Sequence, residues 1–322
     1  MVKTRLAAAA LAVALLPLAG CAASASPAPS NDEPITIAYA SDTEANSFVA
    51  TVTRGIVEAA AEAGFEISVV DNMKDPAKAV DNARQVATLK PDIFIEYNSV
   101  ADSNSRISQI MADAEVPVLA VQYAIGDAPL YAIDNTAVGR VGGEALATAA
   151  LEAWGEDADV SALMLALPQG GVPQLDRRDG AEAALRDALG GDLRITQADT
   201  KGDGNVARQL TADYLTANPT GKVVIWTHND PVVPGIVAAI RAAGRDADVL
   251  VVGTGGDPVV FPEILREGSP VVGTVGLFPE SWGADLIALA AKIVRGETVD
   301  DISRPAKLEL IGLHNIDELY PE

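Results

Sequence analysis

ITIAYASDTEANSFVATVTRGIVEAAAEAGFEISVV, residues 35–70, carries the plan of the chain in one unit. An apolar run (35–40) gives way to a polar loop with Asp42, Glu44, Asn46 and Ser47. A segment with helical spacing follows (48–63), in which Val52, Ile56, Val57 and Ala60 share one face. Gly64 then precedes a second apolar run, 66–70. Strands that are apolar on nearly every residue have both faces covered by helices, which points to a parallel sheet in an α/β fold.

Outward from this unit the alternation repeats. Runs at 92–96 and 117–121 complete a first series, and runs at 160–167, 193–198, 222–227 and 249–254 form a second. The helical segment 232–243 again places Val233, Ile236, Val237 and Ile240 on one face. Both series have glycine before the second strand (Gly64; Gly190 and Gly191) and helix-then-proline before the third (Lys90-Pro91; Asn218-Pro219). Two copies of one doubly wound plan predict two similar domains rather than one larger sheet, with 131–135 as an extended crossover between them. Right-handed crossovers put all parallel strand ends on one edge. The loops there are 41–47, 98–102, 122–126, 168–175, 199–205, 228–231, 255–258 and 276–280, and they are rich in Asn, Gln, Asp, Gly and aromatic residues. Two such edges face to face would enclose a polar cleft.

The N-terminus indicates a compartment. Lys3 and Arg5 precede an uncharged apolar run, 6–16, too short for a membrane span and of signal-peptide size. It leads to Leu18-Ala19-Gly20-Cys21, which resembles the lipobox of bacterial lipoproteins: small residues before the cut, then a thiol to accept a diacylglycerol. Cys21 is the one cysteine, so no internal disulfide is available. The reading expects a signal peptide over 1–20 and a lipidated, flexible Ala/Ser/Pro tether over 21–34. Loss of Lys3 and Arg5 takes the 23 basic residues to 21 against 45 acidic, and the formal charge from −22 to −24. Such a chain repels phosphate backbones, which argues against a nucleic-acid partner.

In order and spacing, a set of segments carries a family likeness. They are Asn46-Ser47-Phe48 leading to Arg54-Gly55 and Ala63-Gly64-Phe65; Pro91-Asp92-Ile93; Asn98; Asp134-Asn135 followed by Gly139; Arg177 to Gly180; Asn229-Asp230; Val251-Val252-Gly253; and Pro279-Glu280 followed by Gly283. Over nearly all of 35–322 the chain resembles the ribose-type periplasmic binding proteins, the type I solute receptors of sugar ABC transporters. LacI-type repressors share that fold, but here an export signal, not a helix-turn-helix, precedes the core. The resemblance implies two doubly wound, Rossmann-like α/β lobes on a three-segment hinge, crossing near Asp134-Asn135, Leu277-Phe278 and Lys307-Leu308. The N-terminal lobe would be 35–134 plus 278–307 and the C-terminal lobe 135–277 plus 308–322. Hinge closure over a ligand is the implied mechanism.

Site residues follow from loop position and resemblance together. Asn46 either caps a helix or bonds a ligand hydroxyl, and Phe48 either packs in the core or stacks on a sugar face; the resemblance favours the site. Asn98 is a turn former or an amide for a hydroxyl pair. Gln122 and Tyr123 stand where the family often has an Asp-Arg pair. Gln174 and Arg177 precede Gly180, near a family arginine that aligns better with Leu175. Asn229 is read as facing ligand, Asp230 as capping the helix begun by Pro231, and Trp226 as core. Gly255 occupies a family Asp position; Asp257 replaces it or caps a helix. Leu277 stands where Gln is common, so the cleft is expected to be less polar than in ribose-like members. His228 and His314 have no metal-ligand spacing. The expected partners are a small polar solute such as a sugar or polyol, an ABC permease, and the membrane through the lipid anchor. The chain is expected to be monomeric, with no cofactor, no metal and no nucleic acid. Docking of a closed form on a chemoreceptor or sensor kinase would use the same motion. Glycosidase chemistry would need a carboxylate pair drawn from Asp42, Glu44 and Asp257.

Overall fold

The computed structural model describes residues 34–321; the expected signal peptide, the expected lipidation site at Cys21 and most of the expected tether lie outside the described residues. The element order is β1 (Thr36–Ser41), α1 (Ser47–Glu62), β2 (Glu66–Asp71), α2 (Pro76–Leu89), β3 (Ile93–Tyr97), α3 (Ala101–Ala114), β4 (Val118–Val121) and β5 (Leu130–Tyr131). Then come α4 (Asn135–Trp154), β6 (Val160–Ala166), α5 (Val172–Leu189), β7 (Arg194–Asp199), α6 (Gly204–Ala217), β8 (Lys222–Thr227), α7 (Val233–Ala242), β9 (Val249–Gly255), α8 (Phe261–Ile264) and β10 (Val271–Gly276). The chain ends with α9 (Trp282–Val294), β11 (Ile302–Ser303), β12 (Glu309–Gly312) and α10 (Ile316–Leu319).

The strands form two six-stranded sheets, β11-β5-β4-β3-β1-β2 and β12-β10-β9-β8-β6-β7. The first is parallel throughout. The second is parallel except for β12, which runs antiparallel to β10. Each sheet has helices on both faces, as its uninterrupted apolar strands require. Residues of α2 and α3 bury one face of the first sheet. Residues of α6 and α7 bury one face of the second. A single apolar cluster joins the remaining faces, from Val52 and Ile56 of α1 through Tyr131, Ile133, Leu277 and Trp282 to Leu146 and Leu185 of α4 and α5.

Helix starts follow local chemistry. The side chains of Asn46, Asp75, Asp134 and Asp203 each accept from a backbone N–H of the helix that follows, satisfying donors that have no intrahelical partner. In α1 the buried stripe is Val49, Val52, Ile56 and Ala60. Val57, expected on that stripe, is 38 % exposed, because it sits a full helical step round from Ile56. The crossover expected at 131–135 is there, one residue shorter at each end. Tyr131 ends β5 and Asn135 begins α4, leaving 132–134 between the sheets. The chain returns through 277–281 to α9, which packs on α1, and passes from β11 to β12 through 304–308. Among the described residues no helix is long and apolar enough to cross a membrane.

Candidate functional site

The carboxyl ends of the parallel strands put two loop-bearing rims opposite one another. They meet where Ser47 Oγ, at the start of α1, donates 2.7 Å to Asp257 Oδ2, in the loop after β9. Asp257 also accepts from Val259 N at 2.9 Å, so it caps the short 3-10 turn Pro258–Val260 and bonds the other rim with the same carboxylate.

On the first rim, Asn46 caps α1 through Val49 N at 3.2 Å. Phe48 is half-buried with its ring edge-on to Trp282, centroids 5.1 Å apart. Gln122, at the end of β4, has a left-handed backbone (φ 62°), and its Nε2 is buried with no hydrogen-bond partner. Tyr123 follows, and its ring lies 6.3 Å from that of Tyr97, at the end of β3. Burial pushes both phenols above their usual range, with the Asp42 carboxylate adding to the effect. Asp42 lies between these loops, its Oδ1 accepting from Ser99 N at 2.8 Å and Ser99 Oγ at 2.7 Å.

On the second rim, Gln174 Oε1 and Asn229 Oδ1 are buried without partners. A buried amide atom with no bond costs on the order of 1–3 kcal/mol. Gln122, Gln174 and Asn229 supply both donor and acceptor functions at three points and fit hydroxyls, which need both.

Two expected site residues are bonded within the protein. Asn98 is fully buried, and its Nδ2 donates 2.7 Å to Ser103 Oγ and 2.7 Å to Asn104 Oδ1. Its Oδ1 accepts from Val100 N at 3.3 Å. The amide is consumed in ordering its own loop, which is the turn-former role. Arg177 is 7 % exposed; Nε and Nη2 donate to Asn135 Oδ1 at 3.0 and 2.8 Å, and Nη1 to the His228 carbonyl at 3.0 Å. It is not a solvated helix-start residue: it joins the start of α4 to the loop after β8. Burial pulls its guanidinium down to about 10, and nearby Tyr123, Tyr97 and Asp230 act the other way.

Asp230 is not a helix cap either. Its carboxylate accepts from Thr274 Oγ1 at 2.8 Å and Asp257 N at 2.8 Å, stitching β10 to the loop after β9, and burial pushes it up to about 7. Gly253 makes room for it: a Cβ there would come 2.0 Å from Asp230 Oδ1. Trp226 is fully buried, as core. His228 is buried against the Leu165 carbonyl, and burial pulls it down to about 4; His314 is exposed. The three carboxylates that hydrolysis would need are each held by a separate hydroxyl: Asp42 by Ser99, Glu44 by Thr53 at 2.7 Å and Asp257 by Ser47.

Sequence reasoning passed over Tyr97, Asn135, Ser47 and the anchored state of Asp42 as parts of the cleft. A strand-final aromatic like Tyr97 carries a signal of its own, since its position places it on the rim. The others are defined by contacts with residues far along the chain.

Two doubly wound sheets joined by three crossings, with their loop rims in contact, define a two-lobed solute receptor. The model for the periplasmic binding protein domain matches residues 37–298, and the chain belongs to that family. The ribose import binding protein RbsB of Salmonella typhimurium is 28 % identical over 279 residues, covering 86 % of this chain and 90 % of that protein. Its Escherichia coli counterpart is 26 % identical over the same span. Among solved structures, an ABC transporter periplasmic solute binding protein from Actinobacillus succinogenes with bound D-allose has a TM-score of 0.78 at 20 % identity, covering 89 % of this chain and all of that one. A Mycobacterium smegmatis solute binding protein with bound glycerol has a TM-score of 0.77 at 22 % identity, covering 90 % and 98 %. One from Bacillus halodurans with bound myo-inositol has a TM-score of 0.74 at 19 % identity, covering 90 % and 99 %. The matched relatives are solute-binding proteins, not enzymes.

Proposed function

We propose that this chain is the extracytoplasmic, Cys21-lipidated solute-binding protein of an ABC importer. It captures a sugar or polyol between its lobes and delivers it, closed, to a permease. The observation that carries the reading is the pairing of contact and need at the rims. The lobes touch through Ser47 and Asp257, while buried amide atoms of Gln122, Gln174 and Asn229 remain unpaired on both sides. Phe48, Tyr97 and Tyr123 supply flat apolar faces of the kind that pack on the C–H face of a sugar ring. The polyhydroxylated compounds named for the relatives, from D-allose to myo-inositol, support the same class.

The test is a thermal-shift panel of D-ribose, D-allose, D-arabinose, allitol, myo-inositol and glycerol, followed by calorimetry. A compound that binds the folded form alone stabilises it by about 2.7 kcal/mol at a hundredfold excess over Kd, which moves the melting temperature upward. An unchanged melting temperature across all neutral sugars and polyols would end the reading.

A further inference from the structure

Phe278 stands at the second crossing between the lobes with a left-handed backbone, φ 48° and ψ 55°. Most other non-glycine residues with positive φ have ordinary reasons for it. Lys90 and Glu115 end α2 and α3, and Met73, Lys74 and Lys201 lie in exposed turns. Phe278 is large, apolar and 4 % exposed, and for such a residue this conformation is an outlier that persists only where the surroundings impose it. Its neighbours do so. The ring folds back over Gly276, where a Cβ would come 2.8 Å from Phe278 Cζ, and joins Ile311 and Ile316 in the core of the second sheet. Lys307 Nζ, from the third crossing, lies 4.1 Å from its centroid. The Tyr320 ring, following α10, stacks parallel to it, 6° between planes and 6.4 Å between centroids, and itself packs on Phe261 of α8 at 4.9 Å.

The side chain of Phe278 thus belongs to the second lobe, while the chain beyond it belongs to the first. The 3-10 turn Pro279–Ser281 lies on α1, with the Glu280 carbonyl oxygen 3.1 Å from where a Cβ on Gly55 would stand. Tyr320 spans the same joint: its ring rests on the second lobe, and its Oη donates 3.2 Å to Glu280 Oε1 on the first. Burial, with the Glu280 carboxylate adding, pushes that phenol above its usual range, so it stays a donor. Rotation of the lobes about 277–281 must change the torsions of Phe278, the length of this bond, or both. We propose that Tyr320 is a strap across a strained joint: by stacking on Phe278 and donating to Glu280 it holds the lobes closed, with Ser47 latched to Asp257, in a share of ligand-free molecules. Relaxation of Phe278 out of the left-handed region favours opening, and the strap opposes it. The balance of the two sets the resting population, and with it the fraction of molecules open to solute. The device acts without ligand, so it goes beyond the solute-receptor reading and can fail while that reading stands.

The experiment measures the ligand-free full chain by double electron–electron resonance. The parent carries Cys21→Ser and nitroxides on Ser105→Cys and Asn205→Cys, exposed near the starts of α3 and α6. It should give a short, closed distance and a longer, open one. Tyr320→Phe keeps the ring and loses the hydroxyl; Glu280→Ala loses the acceptor. Each should lower the closed-to-open ratio about two- to tenfold, the range for one hydrogen bond, and the double variant should lower it no further than either alone. Glu280→Gln, which keeps an oxygen to accept, should restore the parent ratio. Phe278→Ala and Phe278→Gly lose the same ring, but glycine carries no penalty in the left-handed region. The glycine variant should therefore be more closed than the alanine variant by about five- to thirtyfold. A parent without the closed distance, an unchanged ratio in Tyr320→Phe, or additive losses in the double variant would overturn the strap. Equal ratios in Phe278→Ala and Phe278→Gly would overturn the strained joint. If neither Phe278 variant folds, Tyr320→Phe and Glu280→Ala decide the proposal, since each removes only the bond. None of these outcomes alters the sugar and polyol panel, which tests the receptor reading by itself.

Discussion

A carboxyl in the middle of a parallel sheet must find a partner or keep its proton. Glu96 of β3 is fully buried, with Oε1 accepting from Asn72 Nδ2 at 2.7 Å and Oε2 unpaired. Asn72 is held in turn by Asn82 Nδ2 at 2.9 Å. Burial pushes Glu96 from 4.5 up to about 8, with the Asn72 bond opposing and the Asp42 charge reinforcing the shift. Between those values the folded chain binds the proton and the unfolded chain does not. Its contribution to stability is therefore complete below 4.5 and lost as pH rises through 8. Asp230, pushed from 3.8 up to about 7, adds a loss of the same sign. His228, pulled from 6.5 down to about 4, works at the other end, its contribution lost as pH falls through that window. Glu96→Gln keeps the acceptor for Asn72 and has no charge to acquire. It should flatten the decline in unfolding free energy between pH 4.5 and 8, leaving the variant more stable at pH 8 by on the order of a few kcal/mol. Urea titrations across that range measure it, and parallel pH profiles for the two proteins would contradict the neutral-acid assignment. At this scale the sequence reveals position but not partnership. Gln122, Gln174 and Asn229 are legible because strand ends and helix starts place them on a rim. Asn98, in the same kind of position, is taken up by Ser103 and Asn104. Arg177 is decided by Asn135 and His228, 42 and 51 residues away, and no local pattern encodes that.

Elements meet in this fold where a helix start or a glycine lets them. Gly283 of α9 lies against Gly55 of α1, where a Cβ would come 2.0 Å from the Gly55 backbone, so the two helices cross closer than any side chain permits. The first turn of α1 is also one half of the bond between the rims. Ser47→Ala removes the donor to Asp257 and leaves the Asn46 cap and the Asp257 cap intact. A hydrogen bond of this kind contributes about 0.5–1.5 kcal/mol, here to the closed form alone. The variant should release whichever panel compound binds about two- to tenfold faster, with little change in ligand-free melting temperature; stopped-flow dissociation reads this directly. An unaltered release rate would reduce the contact to incidental packing. The same elements show how far patterning reaches. Eight strands stand out as apolar runs, but β5 and β11 have two residues each, too few for any period. The β10 strand hides because Gly273 and Gly276 dilute it. Gly273 is needed there: a Cβ would come 2.4 Å from the Ile311 carbonyl oxygen, closing off the antiparallel pairing of β12.

Across the whole molecule, the packing is lopsided in a way that determines how it can move. The three crossings are bound to one another. Tyr131 packs on Trp282 at 5.6 Å, and Trp282 Nε1 donates 2.9 Å to the Leu277 carbonyl. Lys307 Nζ lies 4.1 Å from the centroid of Phe278, and Arg304 approaches Asp134 at 3.9 Å. The apolar cluster runs through the same region from one sheet to the other. On the rim side, Ser47 Oγ bonds Asp257, and Tyr320 Oη donates 3.2 Å to Glu280 Oε1. In the proposed closure the lobes rotate about 132–134, 277–281 and 304–308. The chain should therefore be more extended in solution without ligand than with it. Small-angle scattering, repeated at saturation with the panel compound that calorimetry shows to bind, should record a smaller radius of gyration in the bound state. Ser47→Ala should leave the bound value unchanged and shift the ligand-free ensemble further open, because the substitution acts only on the latch. If a compound binds with calorimetric heat and the scattering curves superimpose with and without it, the lobes do not hinge. The cleft would then have to admit its solute through a rigid mouth, which the buried state of Gln122 Nε2 and Asn229 Oδ1 makes hard to arrange.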